Sequence, residues 1–203
     1  MDRRKAIRQL KKIEKLSDQR VRLAAEWREK WKVLISTILS SQTKDETTIE
    51  VSNRLYKKYS SLQKLANAGL DDVRKIIKSV NYYKTKAKHV IETAKIIVEK
   101  YKGEIPKTRE ELLELPGVGR KVANVYLVEA YEAAAIGVDT HVAYLSQLLG
   151  WTKNKNPHKI EKDLERLFPE KYWNSINYIL VRFGRMYGTR KRQREKLKEE
   201  EII

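Results

Sequence analysis

The chain has 203 residues, enough for one domain or two small lobes with a buried apolar core. Lysine and arginine number 44 against 27 aspartates and glutamates, and the net charge of +17 would attract nucleic acid or an anionic membrane surface. Cysteine is absent, which excludes disulfides, a thiol nucleophile and metal sites built on thiolates. The three histidines are scattered and argue against a histidine metal site.

The charged start MDRRKAIRQLKKIEK leads into no signal-peptide core, and no apolar run approaches the roughly 18 to 20 residues of a transmembrane helix. We therefore expect a cytosolic protein without a membrane partner. The richness in lysine, glutamate and isoleucine, together with the lack of cysteine, is typical of thermophile proteins.

Apolar residues recur at three- and four-residue spacing along most of the chain, as at Val33, Leu34 and Ile38. This spacing predicts amphipathic helices, and no segment alternates as a strand would. Roughly ten helices are expected, so the predicted fold is all-α. Helix breaks fall, in chain order, at Asp45, 68–71, Asn81, 103–106, 116–119, 136–139, 154–157 and Pro169.

The most informative segment is Leu112 to Ala135, where an amphipathic helix leads into Pro-Gly-Val-Gly and then into a long helix. Gly117 and Gly119 let backbone N–H groups approach a ligand, and the next helix adds free N–H groups and partial positive charge. Paired glycines can also make only a tight turn. Because Arg120 and Lys121 follow and no strand precedes, a DNA phosphate fits better than a nucleotide cofactor.

Lys121 is predicted in the first turn of a helix that is apolar on nearly every side. The helix dipole and partial burial would both lower the pKa of Lys121 and favour its neutral amine. Such an amine can attack an electrophilic carbon and form a Schiff base. The alternative is a lysine that reaches outward to bind phosphate.

In the segment GVDTH, Asp139 and Thr140 predict the start of a further helix with Asp139 as its N-cap. A second role is geometrically possible. A helix from Lys121 to Ala133 rises about 18 Å, and six extended residues can retrace about 20 Å. The Asp139 carboxylate could then stabilise positive charge developing on a sugar and assist proton transfer.

The motif LPGVGRK, followed at this spacing by VDTH, resembles the helix-hairpin-helix glycosylase superfamily and specifically endonuclease III. LISTILSSQTKDETTIEVSNRLY and KSVNYYKTKAKHVIETAKIIVEKYKGEIP extend the likeness over roughly residues 20–188. It implies an all-α, two-lobed helix-hairpin-helix DNA glycosylase fold with a DNA cleft between the lobes. One lobe would be a six-helix barrel at 20–134, with the helix-hairpin-helix at about 108–134. The second helical lobe would combine 1–19 and 135–203.

The resemblance implies base excision repair of double-stranded DNA with damaged bases or abasic sites. It implies a bifunctional DNA N-glycosylase and AP lyase that removes oxidised pyrimidines from a flipped-out nucleotide. Lys121 would attack the sugar C1′ and form a Schiff base that undergoes β-elimination, with Asp139 as the second catalytic residue. Members that only remove the base commonly lack this lysine. Two alternatives stay open: action on mismatched uracil, thymine or 8-oxoguanine, and a non-catalytic DNA-binding protein.

The same resemblance implies that backbone N–H groups of Gly117, Gly119 and Lys121 hold DNA phosphate, with Arg120 as a further DNA contact. It also implies a monovalent cation, potassium or sodium, at the hairpin when DNA is bound. The carbonyls that would hold it belong to Leu113, Leu115 and Val118.

Gln42 matches a residue that enters the gap left by the flipped base and pairs with the orphaned partner; a polar helix end is the alternative. Tyr82 departs from the family, which usually has an aliphatic wedge there, and could instead stack on a base or pack in its loop. His141 is expected to contact DNA or to pack. Asp45 is expected to be an N-cap.

Most endonuclease III proteins bind an iron-sulfur cluster through four cysteines near their C-terminus, where this chain reads FGRMYGTRKRQREKLKEEEII. We therefore expect no cluster and no required cofactor. Tyr187, Met186 and the N-terminal helix are expected to pack in this region. The charged C-terminal stretch is expected to be a solvated, frayed helix, with a dedicated DNA contact as the alternative. We expect a monomeric, cytoplasmic, nucleoid-associated protein from a prokaryote, with a composition that suits a thermophile.

Overall fold

The structure, a computed structural model, describes residues 2–18 and 20–203, which form twelve α-helices, one 3-10 helix and no strand. The all-α prediction is confirmed. Within these residues, no helix is long and apolar enough to cross a membrane. The α-helices are α1 (Arg3–Leu16), α2 (Lys30–Ser40), α3 (Asp45–Lys58), α4 (Leu62–Ala66), α5 (Leu70–Ile76), α6 (Tyr83–Glu99), α7 (Arg109–Leu113), α8 (Arg120–Tyr131), α9 (Thr140–Leu148), α10 (Pro157–Leu167), α11 (Trp173–Tyr187) and α12 (Arg190–Glu199).

The first compact unit spans Leu23–Tyr131 and contains α2 to α8. Helix α2 lies at its centre, since all residues from Val33 to Leu39 are buried and the helix packs against α3, α6 and α8. Helix α6 packs against α2, α4 and α5, and α7 packs against α8. This arrangement places the C-terminal end of α2, the N-terminal end of α6 and the hairpin between α7 and α8 in one packed unit.

The second compact unit combines Met1–Arg22 with Glu132–Ile203 and contains α1 and α9 to α12. Helix α11 packs against α1, α9 and α12, and Phe183 is fully buried at this junction. Trp151 and Phe168 meet edge to face with ring centroids 4.8 Å apart. The core therefore joins segments from both ends of the chain.

The C-terminal helix α12 is docked through one face. Leu197 is fully buried, and the Gln193 amide donates hydrogen bonds to the carbonyls of Gly184 (2.9 Å) and Gly188 (2.8 Å) at the end of α11. Beyond the helix, the buried Gln9 amide donates to the Ile202 carbonyl at 2.8 Å. The expectation of a solvated, frayed helix is wrong for this face, because a buried leucine and a buried amide fix it to the core.

Residues near the end of α11 divide between core and solvent. Tyr187 packs against the core and its ring lies 4.7 Å from that of Phe183, while α1 packs along α11, as expected. Met186 is 52% exposed, so the expectation that it packs in this core is wrong. The side chains that fill this region instead include Leu197 and Ile202.

Candidate active site

The hairpin between α7 and α8 is set by local sequence. Thr108 caps α7 by accepting the Glu111 N–H at 3.3 Å, and its hydroxyl donates to the Glu111 carboxylate at 2.6 Å. After α7, the Leu115 N–H donates to the Leu112 carbonyl and the Val118 N–H to the Leu115 carbonyl, each at 3.1 Å. The predicted turn is therefore formed by two successive backbone bonds.

The two glycines of this turn have different requirements. Gly117 has φ +78°, and a Cβ there would lie 2.9 Å from His89 Nδ1 and 3.0 Å from Ile38 Cγ2. Gly119 is exposed, and a Cβ there would meet nothing within 4 Å. The fold thus requires glycine at 117, whereas at 119 it leaves open space beside the start of α8.

Lys121 lies in the first turn of α8 and is half-buried. Its neighbours Val122 and Ala123 are buried on the inner side of the helix. Among the described residues, no hydrogen bond or ion pair engages the Lys121 amine. The first-turn N–H groups of a helix also have no acceptor within that helix. This end of α8 therefore combines a free amine with backbone donors and partial positive charge.

Gln42 and Tyr82 both have left-handed backbones, with φ of +55° and +57°. Gln42 follows the end of α2, and Tyr82 is the N-cap of α6. Both side chains are exposed, and the Tyr82 ring is 67% accessible, so it is not packed in its loop. Left-handed backbone conformations are uncommon for residues other than glycine and are enriched at functional sites.

Lys86 is a residue that the sequence analysis missed. It lies on α6, is 6% exposed, and donates from Nζ to the Leu39 carbonyl (2.7 Å), the Ser41 carbonyl and Thr43 Oγ1 (3.1 Å). Burial lowers the pKa of Lys86 to about 8. The available signal was a lysine in helical register with the apolar residues Val90 and Ile97.

Asp45 is not an N-cap. Lys44 occupies that position and Asp45 is the first residue of α3. The predicted start of the helix was late by one residue. The carboxylate lies instead in the first turn, where its negative charge interacts favourably with the positive end of the helix dipole.

Asp139 and His141 belong to the other unit, at the start of α9. Asp139 is the N-cap, as predicted: its Oδ1 accepts the Val142 N–H at 2.8 Å. The His141 ring lies against Gly184 of α11, where a Cβ would come within 2.1 Å of Nδ1. His141 therefore has the packing role that was one of its two predicted alternatives.

Comparison with known proteins assigns the chain to a family. Residues 35–170 match the model described as HhH-GPD superfamily base excision DNA repair protein. The chain belongs to this superfamily. The HhH-GPD protein is 45% identical over 155 residues to Endonuclease III of Thermotoga maritima, covering 76% of this chain and 73% of that one. Endonuclease III of Bacillus subtilis is 37% identical over 158 residues, covering 77% and 72%.

Solved structures agree with this assignment. A trapped endonuclease III–DNA covalent intermediate superposes on the HhH-GPD chain with a TM-score of 0.86 at 30% identity, covering 93% of this chain and 89% of that one. A thermostable thymine-DNA glycosylase superposes with a TM-score of 0.81 over 95% and 90% of the chains, but at 19% identity it shows the fold alone. The resemblance to endonuclease III is confirmed. This is a DNA-binding, endonuclease III-like glycosylase of base excision repair.

Two groups implied by the family can be compared with the residues present. A cluster ligated by four thiolates does not fit, because none of the 203 residues is cysteine. A monovalent cation fits the hairpin better, since its carbonyls are oxygen donors. The Leu115 oxygen accepts the Val118 N–H and keeps a second lone pair. Leu113 ends α7, and Val118 directly precedes Gly119.

Proposed function

We propose that this glycosylase is bifunctional, removing a damaged base and then cutting the strand as an AP lyase through Lys121. The observation that carries the proposal is the unengaged, half-buried Lys121 amine in the first turn of α8, directly after the hairpin. The covalent intermediate trapped with an endonuclease III of 30% identity supports it, since covalent capture requires a nucleophile.

In the proposed reaction, the Lys121 Nζ lone pair bonds to C1′ while the bond from C1′ to the base breaks. The bonding pair leaves with the base, which takes up a proton. Nζ then loses a proton, and the C1′–O4′ bond breaks as O4′ takes up a proton, so that opening of the sugar ring gives a protonated Schiff base between C1′ and Nζ. Removal of a C2′ proton expels the 3′ phosphate oxygen and cuts the strand on that side. Water hydrolyses the remaining imine and returns the lysine.

Asp139 is proposed as the second catalytic residue. Its carboxylate would stabilise positive charge at the sugar and assist proton transfer. The capping bond to Val142 employs Oδ1 and fixes the carboxylate at the start of α9. Asp139→Asn keeps an oxygen for that cap, so it separates the two roles: retained thermal stability with a large loss of rate would assign the carboxylate to chemistry.

Oxidised pyrimidines are the proposed substrates, as the resemblance of the LPGVGRK and VDTH motifs to endonuclease III implies. Base release from duplexes carrying oxidised pyrimidines, mismatched uracil or thymine, or 8-oxoguanine would separate this proposal from its alternatives. We further propose that Gln42 and Tyr82 enter the duplex at the flipped nucleotide, that the hairpin holds a monovalent cation when DNA is bound, and that the protein acts as a cytoplasmic, nucleoid-associated monomer.

Borohydride reduction tests the lyase directly, because it converts a Schiff base into a stable adduct between enzyme and DNA. The wild-type protein should be trapped on DNA with an abasic site, and Lys121→Gln should not. Lys95→Gln is the matched control, since Lys95 is an exposed lysine on α6. Full trapping by Lys121→Gln would refute the nucleophile. DNA binding without base release or nicking in the wild type would favour a non-catalytic protein.

A further inference from the structure

One face of α6 contacts two turns that the proposed function places on DNA. Lys86, His89 and Thr93 lie on this face at helical spacing. Lys86 binds the end of α2, beside Gln42. His89 lies against Gly117 of the hairpin, and the Thr93 hydroxyl donates to the Pro116 carbonyl at 2.9 Å. Because Tyr82 is the N-cap of the same helix, α6 connects all three elements.

The hydrogen-bond acceptors around Nζ of Lys86 match the donors of an ammonium group. The last carbonyls of a helix lack partners within it, and an ammonium group offers three donors without an acceptor. The Nζ of Lys86 meets the carbonyls of Leu39 and Ser41 and the hydroxyl of Thr43, so each donor has an acceptor. The negative end of the α2 dipole also favours a cation at this point.

Asn81 adds a second connection between the turn that follows α2 and the turn that precedes α6. Its side-chain amide donates to the Gln42 carbonyl, and its backbone N–H donates to Thr43 Oγ1 at 3.2 Å. Thr43 Oγ1 therefore accepts from both Asn81 and Lys86. Gln42 and Tyr82 flank these bonds, and both have left-handed backbones. Surrounding bonds of this kind are what allow uncommon backbone conformations to persist.

We propose that Lys86 is a positioning residue that holds Gln42 and Tyr82 at a fixed separation, so that both side chains enter a duplex together. The proposal rests on the proposed function in one respect, the entry of these two side chains at the flipped nucleotide. It has a specific consequence. In a single strand there is no orphaned partner base and no opposite strand to separate, so Lys86 contributes only on double-stranded DNA.

Lys86→Met tests this, because methionine fills much of the same apolar volume and has no donor. Lys95→Met is the matched control on the exposed face of α6. Cleavage is measured on an abasic oligonucleotide, single-stranded and annealed to its complement. We expect Lys86→Met to lose about tenfold or more in kcat/KM on the duplex, with single-strand cleavage within about twofold of wild type. An unchanged duplex rate, or equal losses on both substrates, would overturn the proposal.

A second readout follows the DNA itself. A 2-aminopurine opposite the abasic site becomes brighter when it is unstacked, so wild-type binding should raise its fluorescence. Lys86→Met at saturation should give a markedly smaller rise, and a full rise would overturn the proposal. This measurement decides the matter if single-strand cleavage is too slow to measure. It also separates the two proposals, because it requires no lyase chemistry, whereas failure of the lyase proposal appears as a wild type that neither cuts nor is trapped.

Asn81→Ala covers the case in which Lys86→Met does not fold. Asn81 is exposed, so the substitution removes the hydrogen bond from its side-chain amide to the Gln42 carbonyl and leaves the core intact. Circular dichroism should show an unchanged melting transition. A selective loss on duplex DNA of severalfold is expected, since a single hydrogen bond is removed. Activity of Asn81→Ala equal to wild type on both substrates, with a full 2-aminopurine rise, would contradict coupling between the loops.

Discussion

His89 of α6 occupies the space in which a side chain at position 117 would lie. The Nδ1 atom of His89 is 2.9 Å from the position that a Cβ on Gly117 would take. Together with φ +78° at Gly117, this contact makes the hairpin turn dependent on glycine. The open surface at Gly119 has no such neighbour. The two glycines, which are separated by Val118, therefore serve different purposes, one for folding and one for access to the hairpin.

Gly117→Ala and Gly119→Ala should accordingly behave differently. Gly117→Ala forces a strained backbone and displaces His89, so we expect a loss of about 1 to 3 kcal/mol in the free energy of unfolding. Gly119→Ala should melt close to wild type but bind DNA about tenfold more weakly, because its methyl group would occupy the open space that the resemblance to endonuclease III assigns to a DNA phosphate. Urea denaturation and fluorescence anisotropy measure the two effects. Equal stability of both variants would contradict the distinction.

Gly184 and His141 form a second tight pair, in the other unit. A Cβ at 184 would lie 2.1 Å from the imidazole Nδ1, so Gly184→Ala should destabilise the protein by about 1 to 3 kcal/mol. Removing the ring should relieve that clash. We therefore expect the double variant with His141→Ala to lose less than the sum of the two single losses. Additive losses in thermal unfolding would show that the helices accommodate the methyl group elsewhere.

The docking of α12 predicts a stability role for its single buried leucine. Leu197→Ala should lower the free energy of unfolding by about 2 to 5 kcal/mol, as for other large core truncations. Lys198→Ala, at the neighbouring exposed position, is the control and should change it by less than about 0.5 kcal/mol. If both variants unfold like the wild type, α12 is not docked through this face.

Lys86 gives the protein a predicted dependence on pH. Burial lowers its pKa to about 8 in the folded state, against an ordinary value of about 10.4. Between these two pKa values, Lys86 is protonated in the unfolded chain but deprotonated in the folded chain. The free energy of unfolding therefore rises with pH across this window. As pH falls through the window to about 8, this contribution to stability is lost.

Urea titrations at several pH values measure this effect as the difference in unfolding free energy between wild type and Lys86→Met. The difference should shift in favour of wild type from about pH 8 to about pH 10. Lys95→Met should show no such trend relative to wild type. A flat difference for Lys86→Met would mean that the three acceptors at Leu39, Ser41 and Thr43 offset the effect of burial completely.

The sequence predicted those features that depend on neighbours along the chain. The hairpin follows from its glycines, and Asp139 caps α9 because a carboxylate there accepts the N–H of Val142, three residues ahead. Lys86 was missed because its acceptors lie more than forty residues earlier, and two of the three are backbone carbonyls, which no residue pattern identifies.

The C-terminal segment shows the same limit. Its charged composition predicted a solvated helix, yet the buried Leu197 and Gln193 hold one face of it against the core, and Gln193 bonds to α11. Whether a helix with so few apolar residues docks depends on the surface available to receive it, and that surface forms only when distant segments such as α1 have packed. Propensity and pattern are weak guides where tertiary contacts decide.

The identity of the nucleophile is the central claim, and mass spectrometry of the borohydride-reduced complex tests it most directly. After digestion, the peptide that carries the sugar remnant should contain Lys121, with the added mass on its side chain. An adduct on any other lysine, such as Lys86, or on an N-terminal amine would contradict the assignment of Lys121 as the group that forms the Schiff base.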